Sequence, residues 1–193
     1  MEIIKDIFFL IGSIAGIFGL ASRIIESKFQ EDKRKLNNIL ENLSEEKIIV
    51  LADRIWHSRF APFEILDKYE KFSRQMREKT SDVYFSGPLK KEINEVLSEL
   101  VFEYENLRTY LQVPAWNPVG EDNISGYIFD RTQFSDIGDD YVEHIQNTHN
   151  CTLKIRNAIK KLQVLSNFHF FETYYSRFIL KSRYKEVFIP PYS

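Results

Sequence analysis

The chain has 193 residues, 44% of them apolar and 28% charged, with a formal net charge of -2. That length holds one ordinary domain plus a short appendage, and the apolar share is enough to fill a core, which excludes a disordered chain. The near-neutral balance gives no overall pull towards nucleic acid or anionic lipid, and a single cysteine, Cys151, excludes disulfide-rich secreted scaffolds and fits a reducing compartment.

Residues 7–22 (IFFLIGSIAGIFGLAS) carry no charge, and the apolar run reaches Ile25 if Arg23 snorkels towards lipid headgroups. A helix over residues 7–25 is about 28 Å long, close to one hydrocarbon thickness. Lys5 alone precedes the run, whereas Arg23, Lys28, Lys33, Arg34 and Lys35 follow it. The positive-inside rule then predicts a single pass through the cell (inner) membrane, with residues 1–27 as the anchor and residues 28–193 as a cytoplasmic helical domain. Two other readings compete. Gly19 and Ala21 give a small-x-small cleavage pattern, against which Glu2 and Asp6 cancel the positive start of a signal peptide. A helix that is apolar all round also suits the inside of a water-soluble oligomer.

Gly12 and Gly16 form G-x-x-x-G, and Ala15 with Gly19 repeats the spacing on a neighbouring face. Small residues four apart let helix backbones approach closely in lipid, which points to a homo-oligomer, although glycine is common in membrane helices anyway. Past Arg23 the helix is expected to continue, because Phe29, Leu36, Leu43 and Val50 recur at heptad spacing. The heptads suit a coiled-coil seam. Asp32 and Glu46 interrupt it and favour an amphipathic helix packed on its own domain, with a boundary at Leu43 and Ser44.

A second helical segment is expected over residues 44–60, with Pro62 marking a kink or a new first turn. Ile65, Leu66, Tyr69, Phe72 and Met76 then give a helical face as far as Lys79. Ser86, Gly87 and Pro88 punctuate the chain before the clearest helix, in which Ile93, Leu97, Leu100, Tyr104, Leu107 and Leu111 alternate spacings of four and three. Over residues 113–135 regularity dissolves at Pro114, Pro118, Gly120 and Gly126, with a short strand suggested at residues 124–129. A loop of that length is more often a contact surface than a plain connector, and Trp116 is its large anchor. Helical signals return from Asp136 to about Lys185, as two helices jointed near Ser166 and Asn167. The expected fold is thus all-α: one transmembrane helix followed by a helical bundle with one irregular segment.

Candidate chemistry is sparse, and no catalytic motif or cofactor signature stands out. Asp140 and His144 lie four apart on one helical face, with Asp139 beside them, one way to present ligands to a divalent metal. Capping and favourable charge at a helix N-terminus explain the aspartates equally well. Cys151 reads as a small core residue, and His57 and His169 as core or boundary residues among aromatics. Arg54, His57 and Arg59 give only a faint suggestion of RNA cleavage. At the C-terminal end, Phe171, Tyr174, Tyr175 and Phe178 recur at core spacing among Arg177, Lys181 and Arg183. Those cations read first as the solvated face of that helix, and otherwise as a surface for a protein partner, a lipid surface or, less favoured, single-stranded nucleic acid. The architecture suggests a self-associating protein acting at a membrane, an effector or accessory subunit in microbial stress or phage defence. The alternatives are a membrane-tethered metal-dependent hydrolase or nuclease, and a nucleic-acid or lipid-headgroup binding module.

Overall fold

The computed structural model describes residues 2–112, 116–121, 124–130, 132 and 139–170, and within these the side chains of residues 2–15, 121, 124 and 139–141 are not described. Helix α1 (Glu2–Asn42) passes Arg23 without a break, as the heptad pattern predicts. Phe29, Asp32, Leu36, Ile39 and Leu43 are buried, at alternating spacings of three and four. This stripe faces the chain's own domain rather than a coiled-coil partner. Val50, the last heptad position, is exposed on the next helix.

The boundary falls where expected. Ser44 leaves helical geometry with an extended backbone and precedes α2 (Glu45–Asp53), whose first-turn Glu45 and Glu46 sit at the positive end of the helix dipole. From α2 the chain runs straight into a π-helical turn (Arg54–Ser58). The Arg59 N–H closes that turn on the Arg54 carbonyl, and Arg59 takes a left-handed conformation, φ 54°. This reversal sends the chain into strand β1 (Phe60–Pro62). Pro62 then precedes α3 (Phe63–Glu78), in which Ile65, Leu66, Tyr69 and Phe72 of the expected face are buried and Met76 is partly buried against the core. A 3-10 turn (Ser81–Val83) leads to α4 (Lys90–Leu111), where all six residues of the sequence pattern are buried.

The fold is not all-α. Strands β2 (Trp116–Glu121) and β3 (Ile124–Phe129) form a hairpin inside the segment expected to be irregular, and β1 pairs on the far side of β3 to give an antiparallel sheet of order β1-β3-β2. Gly126 lies opposite Pro62 on β1, and a Cβ there would collide with the Ala61 carbonyl and the Phe60 ring, so close passage of the strands requires glycine. Helix α5 (Asp139–Ser166) ends at the expected joint and packs along α4, α2 and α1. Its Ile155, Ala158, Ile159, Leu162 and Leu165 form the centre of the core. The helix expected beyond it, residues 168–185, lies mostly outside the described residues.

Candidate functional site

Helix α1 divides into two environments. From residue 16 to residue 28 every side chain is exposed, including Ile17 at 67%, Phe18 at 71% and Leu20 at 64%. Those large apolar residues point to several sides of the helix, so no single partner face accounts for them. Among the described residues, no helix is long and apolar enough to cross a membrane. The first half of the uncharged run, with Gly12 and Ala15, is helical in backbone but lies outside the described side chains. At Gly16 and Gly19 an added Cβ meets nothing within 4 Å, so no contact inside the chain requires glycine at either position.

Below this arm the helix is gripped firmly. Asp32, read from sequence as an interruption, is buried, and its two carboxylate oxygens accept the backbone N–H groups of Ser86 at 3.1 Å and Gly87 at 2.7 Å. A buried carboxylate with both oxygens satisfied by backbone donors ties the α3–α4 connection to α1. A Cβ on Gly87 would sit 2.7 Å from Asp32 Oδ2, so the approach depends on glycine. Lys33 Nζ donates to the Phe168 carbonyl and Lys35 Nζ to the Tyr84 carbonyl, while Phe29 meets Phe170 edge to face at 5.7 Å. The arm thus continues, as one unbroken helix, from a half that is tied to the core.

Trp116, expected as a contact anchor, is 3% exposed. It meets Phe129 edge to face, and its indole Nε1–H donates to His144 Nε2 at 3.1 Å. Since an indole nitrogen only donates, His144 holds its proton on Nδ1, directed at the Tyr110 carbonyl. Burial holds this imidazole below its usual pKa, partly offset by that carbonyl. The lone pair a metal would need is already engaged. The side chains of Asp139 and Asp140 lie outside the described ones, and no cluster of three or more potential metal ligands occurs among the described residues.

A cleft of about 430 Å³ separates the π-helical turn from α5 and is lined by Trp56, His57, His149 and Asn150. His149 Nδ1 bonds the Ala52 carbonyl at 3.2 Å and its ring lies 5.0 Å from Trp56, with burial again lowering its pKa. His57, expected at the core boundary, stands on the rim with its side chain 69% exposed, 3.6 Å from Asp53. His169, just beyond the end of α5, is exposed as well. Cys151 is buried as expected, and burial pushes its thiol up to about 12, which makes it a packing residue rather than a nucleophile.

The C-terminal cations Arg177, Lys181 and Arg183 lie outside the described residues. Sequence reasoning overlooked the roles of Asp32 and of the π-helical turn, whose partners are remote in sequence or belong to the backbone. Comparison with family models, with curated proteins and with solved structures yields no match in any of the three.

Proposed function

We propose that this is a membrane-attached helical protein that self-associates through the N-terminal arm of α1 and carries its remaining domain on the cytoplasmic side. The observation behind this reading is that arm, exposed at every described residue from 16 to 28, with Ile17, Phe18, Leu20, Ile24 and Ile25 among them. Leaving such side chains in water costs about 1.5–3 kcal/mol each relative to burial, so a lipid environment is the natural complement. The basic residues that follow, Arg23, Lys28 and Arg34, suit an anionic cytoplasmic leaflet. The open space at Gly16 leaves room for a second helix at close range.

In this reading the domain receives a partner or signal and the arm delivers the response in the membrane, in the manner of an effector or accessory subunit in microbial stress or phage defence. Fractionation of tagged full-length protein tests the attachment: it is expected in the membrane pellet after alkaline carbonate washing, and recovery in the supernatant would refute it. Gly16→Leu meets no obstacle within one chain, so its effect on subunit number in detergent reports contact between copies. If the arm acts on the membrane, expression depolarises cells, and Gly16→Leu abolishes that effect.

A further inference from the structure

A basic groove lies between the core half of α1 and α3, with a cavity of about 440 Å³. Arg34, Asn38 and Asn42 reach it from successive turns of α1, and Lys68, Lys71 and Gln75 from successive turns of α3. The spacing of four on α1, and of three and four on α3, puts each set on one helical face. The floor is apolar, made by Ile39, Leu43 and Phe72, all buried.

The charges in this groove are unbalanced. Lys35 is paired with Glu31, whose charge also acts on Arg34, while Arg34, Lys68 and Lys71 make no ion pair within 4 Å of a carboxylate among the described residues. Lys47 is drawn close to Lys68 from the start of α2, so its ammonium is held below its usual pKa by the contact with that lysine, by desolvation and by its charge. Glu31, Glu64 near Lys47, and Asp82 on the rim are the opposing carboxylates. In a chain with a net charge of -2, Arg34, Lys68 and Lys71 lining the groove, with Lys47 nearby, amount to a local excess that folding alone does not require.

We propose that this groove binds an anion bearing two or more phosphate groups. Arg34, Lys68 and Lys71 on the groove wall, with Lys47 beside it, together match two phosphates at about two negative charges each. Asn38 and Gln75 supply neutral amide donors between the charged groups, while Asn42 donates to the Asn38 carbonyl, and the apolar floor leaves room for the ligand's non-phosphate part. The groove joins α1, which carries the arm, to α3, so bound phosphate holds the two helices together. Binding of a soluble ligand does not depend on membrane attachment.

The chemistry fits a free polyphosphorylated small molecule and a polyphosphorylated lipid headgroup alike, and titration of the full-length protein separates them, in neutral detergent for the soluble probe and after detergent removal for the vesicles. The probes are inorganic tripolyphosphate and, separately, phosphatidylcholine vesicles with and without phosphatidylinositol 4,5-bisphosphate. Tripolyphosphate binding at least tenfold tighter than sulfate at equal ionic strength identifies a soluble ligand. A gain confined to the phosphoinositide vesicles, over phosphatidylcholine alone, identifies a headgroup. In either case Lys68→Gln and Arg34→Gln together reduce the affinity at least tenfold and flatten its salt dependence, whereas Lys91→Gln, outside the groove, leaves both unchanged. Circular dichroism of the double variant confirms that it remains folded. Affinity no better than for sulfate in both formats, or a response unchanged in the folded double variant, overturns the proposal.

Discussion

The two halves of α1 share one unbroken helix and oppose each other in every other respect. The arm is the least charged stretch described, yet its Phe18 is 71% exposed; the core half carries Asp32, Lys33 and Lys35, yet Phe29 and Leu36 are 1% exposed. Hydropathy does not decide which half joins the domain. Periodicity does: an all-round apolar surface has no side to turn inwards, whereas residues 29–43 offer a narrow stripe, completed by a carboxylate where the stripe meets a backbone turn.

Deleting residues 1–27 tests this contrast most severely. It is expected to transfer the protein wholly from the membrane pellet to the soluble fraction while the melting temperature of the domain moves by only a few degrees. Collapse of the remaining domain would show that the arm belongs to the core after all. Next in size is the pair Leu36→Ala and Phe18→Ala. Urea unfolding in detergent should record a loss of about 2–5 kcal/mol for the first and about 0.5 kcal/mol or less for the second. Equal losses would erase the distinction between the halves.

Smaller effects probe the joint. Asp32→Ala orphans the Ser86 and Gly87 N–H groups and is expected to cost about 2 kcal/mol. Gly87→Ala, which pushes a methyl group towards the same carboxylate, should cost about 1 kcal/mol. The two losses should not add, because either change opens the same contact. Smallest is a pH effect remote from α1. His144 and His149 are held below the unfolded value of 6.5 by burial, so the unfolded chain takes up protons first as pH falls. Their contribution is complete above pH 6.5 and is lost as pH drops through that value towards the folded pKa. Denaturation of His144→Gln between pH 7.5 and 5.5 should show a shallower decline than the unsubstituted chain.

Much of the helical framework was legible in the residues. The pattern of α4 is long and regular, and all its marked positions are buried. The boundary at Ser44, the start of α3 after Pro62 and the end of α5 at Ser166 each follow from punctuation that acts locally. The sheet was legible only as the possible strand at residues 124–129. A strand of three residues such as β1 has no periodicity to read, and its partner lies more than sixty positions away. The Asp32 grip was illegible for the same reason, since a carboxylate within heptads looks like an error until a backbone turn 54 and 55 residues distant is placed against it. Trp116 looked like a surface anchor because loops are usually exposed; its indole is instead taken inwards by His144, from another element. The basic groove emerges only once α1 and α3 lie side by side.

The grip of Asp32 on the Ser86–Gly87 turn also limits how a disturbance can pass along α1. Spinning the helix by one residue, about 100°, or sliding it by one, about 1.5 Å, would pull the carboxylate off both amides. Tilting arm and domain together as one lever leaves those bonds untouched. A pull at the N-terminal end of α1 that keeps those bonds therefore carries the α3–α4 connection along with the helix, with no rotation or sliding between them.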